Sequence, residues 1–365
     1  MRYIGNKTKL LGFIRQVLRA RKISGSAVDP FSGTASVGRE LKRLGFRVVA
    51  SDIMTYGYVF ARAYVQATRL PAAPGLADEV IAVEGAGRTG PDAGAPSFRD
   101  VVAYLDGLDP LPDFVHRSFS PDGRDGREHG RMYFTPENAA RIDHVRNRIE
   151  EWRRAGRIDD DVFHLLLALL IEAADRVANT TGVYASFVKS WQPNARRRLR
   201  LEVPAIIEGN GCHAHRADAL DLVPDLEPFD LLYLDPPYNN RQYPGYYHVP
   251  EIIAEGWFDG GMELRGKTGL ALDEGKRSDW SRTGKCEDAF ERLVSTAPWK
   301  HVVMSYNDEG IIPEATIERV LKANGRAATY RRYEKGYKRY RSDADGDGRK
   351  YKGDRVAEYL YCVSR

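Results

Sequence analysis

The nearly continuous apolar run Phe229-Asp230-Leu231-Leu232-Tyr233-Leu234 has the character of a parallel strand buried on both faces, and it stops abruptly at Asp235-Pro236-Pro237-Tyr238. Near the other end of the chain, Ile23 to Ala35 passes through Ala27-Val28-Asp29-Pro30-Phe31 into the turn Ser32-Gly33-Thr34-Ala35. A helical pattern over Ser36 to Leu44 follows, closed by Gly45-Phe46, and Arg47 to Asp52 reads as a second strand ending in an acid. Strand, tight turn, helix, strand is how an open α/β sheet begins. Sheet character returns at Gly211 to Arg216, and further strands are predicted at Lys300 to Ser305 and Arg355 to Val363.

Between these pieces the periodicity changes. Thr135-Pro136-Glu137 supplies an N-cap and a first turn, and Asp159 to Val177 carries an apolar stripe at helical spacing. Pro71 to Pro96 and Pro121 to Gly130 are rich in Gly, Pro and charge and read as loops. The chain is therefore expected to hold a catalytic α/β domain from residues 1–64 and 206–365, with a mostly helical insertion at 65–205. No internal repeat is present.

Composition narrows the class. At 365 residues, with 42% hydrophobic and 29% charged positions, the chain is neither disordered nor membrane-like. Its longest apolar run, Leu165 to Ile171, is too short to cross a bilayer. The N-terminus lacks the apolar stretch of a secretory signal, so a cytoplasmic protein is expected. Cys212, Cys286 and Cys362 are an odd number without CxxC spacing, which argues against a disulfide framework or a cysteine zinc site.

Two prolines directly after a buried strand fix the backbone and end the sheet, at the strand edge where open α/β sheets bind ligands. There Asp235 supplies a carboxylate, the proline carbonyls stay out of any helix, and Tyr238 offers a flat face, a set suited to an exocyclic amino group on a planar ring. Gly33 lets backbone N–H groups approach a ligand closely, and Phe31 is placed to cover it, or to be core. Asp52, at a strand end, suits a pair of ribose hydroxyls or a helix cap.

In this combination the sequence resembles the D12 class of S-adenosylmethionine-dependent DNA amino-methyltransferases, which includes the Dam-type adenine methylases. Tyr3-Ile4-Gly5-Asn6-Lys7 matches the family's N-terminal cofactor motif, and Asp29-Pro30-Phe31-Ser32-Gly33-Thr34 its glycine turn. Ser51-Asp52-Ile53 matches the acid after the second strand, Asp218 the contact to the cofactor's adenine, and Asp235-Pro236-Pro237-Tyr238 the catalytic motif. The resemblance implies a Rossmann-like methyltransferase sheet and S-adenosylmethionine as cofactor. It further implies Tyr3, Lys7, Asp29, Phe31, Gly33, Thr34, Asp52, Ile53 and Asp218 as cofactor residues; by its own chemistry Lys7 suits the carboxylate of the methionine moiety or is a solvated charge. Asp235 and the Pro236 carbonyl would accept from the amino group of a flipped base, most readily N6 of adenine, and Tyr238 would stack on it. N4 of cytosine, an RNA amino group and an inactive DNA-binding protein stay open as alternatives.

Charge placement fits duplex DNA better than the net charge of +4 does. Lys189, Arg196, Arg197, Arg198 and Arg200 cluster beside Trp191, in the region matching the family's recognition insertion. Lys335 and Lys338, with Arg331, Arg332 and Arg339, alternate with tyrosines between Tyr330 and Tyr340. A cognate restriction endonuclease is a candidate partner. Asp343 to Asp354 mimics a calcium loop but ends in Asp instead of Glu, and His213 and His215 share one strand face without a third ligand, so no metal is expected.

Overall fold

The computed structural model describes residues 5–80, 95–209, 211–260, 262–271, 274–338 and 355–365. Tyr3 and the Asp343 to Asp354 segment lie outside them, as do 81–94. Two compact units emerge: Gly5–Ala61, Gly209–Tyr243 and Glu274–Arg365 form one, and Arg62–Glu208 with Pro244–Asp273 form the other.

The first unit is built on a seven-stranded sheet of β1 (Ser26–Asp29), β2 (Arg47–Asp52), β3 (His213–Arg216), β4 (Phe229–Leu234), β5 (Trp299–Asn307), β6 (Arg331–Lys338) and β7 (Arg355–Ser364). Spatial order is β3-β2-β1-β4-β5-β7-β6. The first five strands run parallel, and β7 enters antiparallel between β5 and β6. This is a Rossmann-like arrangement. The strand order reverses between the parallel neighbours β1 and β4, so the connections leaving their carboxyl ends run to opposite sides and open the crevice in which such sheets hold ligands.

Local chemistry explains the register. Leu231, Leu232 and Leu234 are fully buried, each contributing roughly 1.5–3 kcal/mol of burial, which fixes β4 at the sheet centre. Helices α1 (Leu11–Ala20) and α2 (Ser36–Arg43) and the helices Lys285–Thr296 and Glu314–Asn324 accompany the sheet. Their apolar residues, Phe290, Leu293, Val320 and Leu321 among them, are fully buried.

The second unit is mostly helical. Its two long helices, Pro136–Arg154 and Asp160–Val177, start where Thr135 and Asp159 accept the backbone N–H groups of Asn138 and Val162. The segment Pro121 to Gly130, expected as a loop, contains a short helix, Arg124–Glu128. It is packed so tightly against the preceding turn that a Cβ on Gly126 would lie 1.8 Å from the Ser120 carbonyl. That packing overrides a composition which by itself signals a turn.

Candidate active site

Three strand ends supply the site's carboxylates: Asp29 closes β1, Asp52 closes β2, and Asp235 follows β4. Asp29 is 1% exposed, and its Oδ2 has no hydrogen-bond partner among the described residues. Burial, reinforced by the negative charges of Asp235 and Asp52, pushes its carboxyl up to about 7, and the N–H groups of Gly38 and Phe31 pull it back only partly. Gly38 lies in the first turn of α2, whose N-cap residue, Ala35, offers no side-chain cap. Asp29 therefore answers that helix end from the strand.

The turn from β1 to α2 is shaped by left-handed backbone at Gly33 (φ 50°) and Ala35 (φ 57°). It is tied to β2 twice: Ser32 N–H donates to the Ser51 carbonyl at 3.0 Å, and Gly33 N–H to Asp52 Oδ2 at 2.7 Å. Asp52 Oδ1 accepts from Met54 N–H at 2.9 Å. Both roles weighed for Asp52 are thus compatible, because each oxygen keeps acceptor capacity after its backbone bond. Gly57, which the sequence reading did not single out, makes room for this carboxylate: a Cβ there would stand 2.6 Å from Asp52 Cγ.

Phe31 is half-buried and meets Trp280 edge-on at 4.8 Å between centroids; Thr34, in the same turn, and Ile53, next to Asp52, are half-buried too. Asp218 Oδ1 caps the short helix Ala219–Leu222 through Leu220 N–H at 2.8 Å, and burial holds its carboxyl above the usual range. These residues place one half-buried ring, Phe31, and several carboxylate acceptors at the carboxyl ends of β1, β2 and β3.

Around Asp235 the site is closed on itself. Its Oδ1 lies 3.2 Å from Lys7 Nζ and accepts from the Tyr238 hydroxyl. Among the described residues Oδ2 carries no hydrogen bond, and the side chain keeps 16% exposure. Burial pushes this carboxyl up to about 7; Lys7 draws it down and Glu358 adds to the rise. The neighbouring carbonyls differ in availability. Pro237 O accepts from Tyr306 Oη at 3.4 Å and Tyr238 O from Ile311 N–H at 3.2 Å, whereas Pro236 O has no partner among the described residues.

Lys7 lies in this cluster. It is 2% exposed, donates to Tyr238 Oη, stands 4.4 Å from that ring's centroid, and reaches Glu358 Oε2 at 3.4 Å. A lysine expected to meet a cofactor carboxylate is thus already held by two protein carboxylates. Glu358 escaped the sequence reading; its only signal there is an acid inside an otherwise apolar closing strand.

The basic residues divide between the units. In the helical unit Lys189 and Arg196, Arg197, Arg198 and Arg200 are all exposed. Arg198 donates to the Asp106 carbonyl at 3.0 Å and Arg200 pairs with the Asp106 carboxylate at 2.7 Å, while Arg196 and Arg197 have no ion pair among the described residues. Their loop is rigid for a reason invisible in its own sequence: buried Asn138 donates to the carbonyls of Ala195 and Arg197 and accepts from Leu199 N–H. In the sheet unit, Lys335 pairs in register with Glu358, toward the carboxyl edge of the parallel strands, and its Nζ lies 5.7 Å from the Phe13 ring centroid. Lys338 lies in the same strand. Among the described residues no three His, Cys, Asp or Glu side chains group to hold a metal, and no helix is long and apolar enough to cross a membrane.

Residues 3–269 match the model of the D12 class N6 adenine-specific DNA methyltransferases. Over its whole length the chain is 32% identical to the type II methyltransferase M.NlaIII of Neisseria lactamica, covering 99% of that protein. It is 31% identical to the type II methyltransferase M.FokI of Planomicrobium okeanokoites, of which it spans 53%. The type II methyltransferase M.CviAII of Paramecium bursaria Chlorella virus 1 is 27% identical, with 97% of its length covered. A methyltransferase-type sheet, acids at three adjacent strand ends and a match across most of the chain agree: this chain belongs to the D12 class of N6 adenine-specific DNA methyltransferases.

Proposed function

We propose that the protein methylates N6 of a specific adenine in duplex DNA, with S-adenosylmethionine as methyl donor and Asp235 as the residue that handles the amino group. The observation that carries this reading is the state of the strand-end edge after β4. Among the described residues, a half-buried carboxylate with no hydrogen bond on its second oxygen is followed in the chain by a rigidly held carbonyl, Pro236 O, that likewise has no partner. Two acceptors are what an exocyclic NH2 requires.

The cofactor is supported by fit. Asp29 offers an orphaned buried acceptor, suited to an ammonium group; Asp52 offers spare acceptor capacity for a ribose diol; Phe31 and Ile53 offer half-exposed apolar faces, and Asp218 an acceptor near an adenine edge. Gly33 and Thr34 form the glycine turn, and Tyr3 belongs with Lys7 to the N-terminal cofactor motif. Bound there, S-adenosylmethionine supplies an electrophilic methyl group. Asp235 and Pro236 O accept hydrogen bonds from N6 and draw its lone pair out of conjugation, and Asp235, with its carboxyl near neutrality, takes the proton that N6 loses. Pro236 and Pro237 hold that edge in place, and the Tyr238 ring receives the flipped base, its hydroxyl giving way on Asp235 as the amino group arrives.

The helical unit, 62–208 with 244–273, serves target recognition in this reading. Arg196, Arg197, Arg198, Arg200 and Lys189 contact phosphates, as do Lys335 and Lys338 on the sheet unit. Replacing Arg196, Arg197 and Arg198 together by alanine is expected to weaken binding and reduce the slope of log K against log salt by about 2–3. A fluorescence titration over several salt concentrations measures it, and an unchanged slope removes these arginines from the phosphate contacts. The type II names of the relatives suggest a companion endonuclease reading the same sequence, in the cytoplasm where chromosomal DNA lies. Single-molecule sequencing of DNA from cells expressing the protein tests the reading: modified adenine at one recurring sequence is expected, and unmodified adenine throughout contradicts it.

A further inference from the structure

Glu358 is out of place by local rules. It lies in β7 among Leu360, Tyr361, Cys362 and Val363, all nearly or fully buried, and is itself 3% exposed. A carboxylate buried in a central strand opposes folding unless a cation compensates it. The cation is Lys7, distant by 351 positions in sequence, with Nζ at 3.4 Å from Glu358 Oε2. The same ammonium stands 3.2 Å from Asp235 Oδ1. Pairing puts Glu358 opposite Asn307 at the end of β5 and opposite Lys335 of β6, which sets it at the carboxyl edge of the parallel strands, where Asp235 lies.

We propose that Glu358 is a positioning residue for methyl transfer: by sharing the Lys7 ammonium with Asp235, it keeps Lys7 from neutralising the carboxylate that must accept the amino group. One ammonium is thus divided between two carboxylates. Without Glu358, Asp235 is, among the described residues, the one carboxylate left within salt-bridge distance of Lys7, and the ammonium closes onto it. A lysine drawn fully onto Asp235 competes with the incoming N6–H donors and makes the carboxylate a weaker acceptor and a weaker base. Glu358 thus acts through Lys7, without touching the base. This inference deepens the proposed function and rests on Asp235 handling the amino group.

Removal of the Glu358 charge has a second consequence of known sign. The groups around Asp235 are Lys7 and Tyr238 within bonding distance, Glu358 from β7, Asp29 from β1, and the hydroxyls of Tyr233 from β4, Tyr243 and Tyr306. Of these, Glu358 and Asp29 are acids that disfavour the ionised form of Asp235. Loss of one like charge makes Asp235 easier to ionise, so the acid limb of the rate profile moves to lower pH.

The test uses the full chain, tritiated S-adenosylmethionine and unmethylated PCR-amplified phage DNA, with kcat and KM measured from about pH 5 to 9. Glu358→Gln is expected to lower kcat at least about tenfold, with both KM values within about threefold, and to shift the acid limb of kcat to lower pH. Glu358→Asp, which keeps the charge but shortens its reach, is expected to give an intermediate kcat with the limb near its wild-type position. If Glu358→Gln does not purify folded, Glu358→Asp alone decides, and a wild-type kcat there overturns the proposal. An unmoved acid limb in folded Glu358→Gln overturns it as well, whatever happens to kcat, because a purely structural loss leaves the limb in place. Wild-type enzyme that transfers no methyl group to DNA is a different outcome: it refutes the proposed function itself.

Discussion

Asp235→Ala is expected to leave a folded protein that binds duplex DNA and S-adenosylmethionine, with methyl transfer reduced by at least about 10²–10³-fold. The carboxylate is the group that meets the amino nitrogen, whereas DNA affinity comes mainly from phosphate contacts elsewhere. Its loss is not expected to destabilise the fold at alkaline pH. Burial raises the carboxyl from its ordinary 3.8 to about 7, so the folded state favours the protonated form. The associated stability is fully present below the ordinary carboxylate range and is lost as pH rises through about 7. At pH 8 the wild-type site therefore carries an ionised group that folding disfavours, and the alanine variant is expected to melt no lower than wild type there. The same carboxyl sets the sign of the activity profile: only the ionised form can take the proton that N6 loses, so kcat of the wild type is expected to fall as pH drops through about 7. Single-turnover assays and thermal melts check both parts. Substantial retained activity in the variant removes Asp235 from the chemistry.

The second large effect belongs to the cofactor. Asp52→Ala is expected to weaken S-adenosylmethionine binding by roughly 1.5–3 kcal/mol, the worth of charge-assisted hydrogen bonds to a diol. Part of the loss comes through the turn, because Gly33 N–H, 2.7 Å from Asp52 Oδ2, is left without its acceptor. Gly57→Ala provides a check that does not touch the carboxylate's chemistry. A Cβ 2.6 Å from Asp52 Cγ forces that side chain to move, so weaker binding in the same direction is expected. Isothermal calorimetry measures both, and wild-type affinity in Asp52→Ala refutes its assignment to the ribose.

Much of this architecture is legible from one sequence because its signals are local. Phe229 to Leu234 is apolar enough to read as a central strand, Arg47 to Asp52 ends where its acid predicts, and Thr135 and Asp159 announce two helices by their caps. What escapes depends on pairs distant along the chain. Glu358 meets Lys7 only because β7 runs antiparallel beside β5, a register that no periodicity encodes. Asn138 reads as an ordinary residue of the first turn of a helix, yet it holds the backbone of the arginine loop 57 to 61 positions away. The stretch from Pro244 to Asp273 joins the helical unit through contacts such as Arg146 to the Ile253 carbonyl and Arg131 to that of Lys267, where composition marks no boundary. Lys7 is legible as a site residue, but the choice between a cofactor carboxylate and a protein one depends on which carboxylates the sheet brings to it.

The central claim is the transfer of a methyl group to adenine N6, and one measurement tests it most directly. Unmethylated duplex DNA is incubated with the purified chain and S-adenosylmethionine carrying a deuterated methyl group, then digested to nucleosides and analysed by mass spectrometry. The account predicts deuteriomethyl label on N6 of deoxyadenosine, present with wild type and lost with Asp235→Ala. Label on N4 of deoxycytidine alone, or none on any nucleoside, contradicts it.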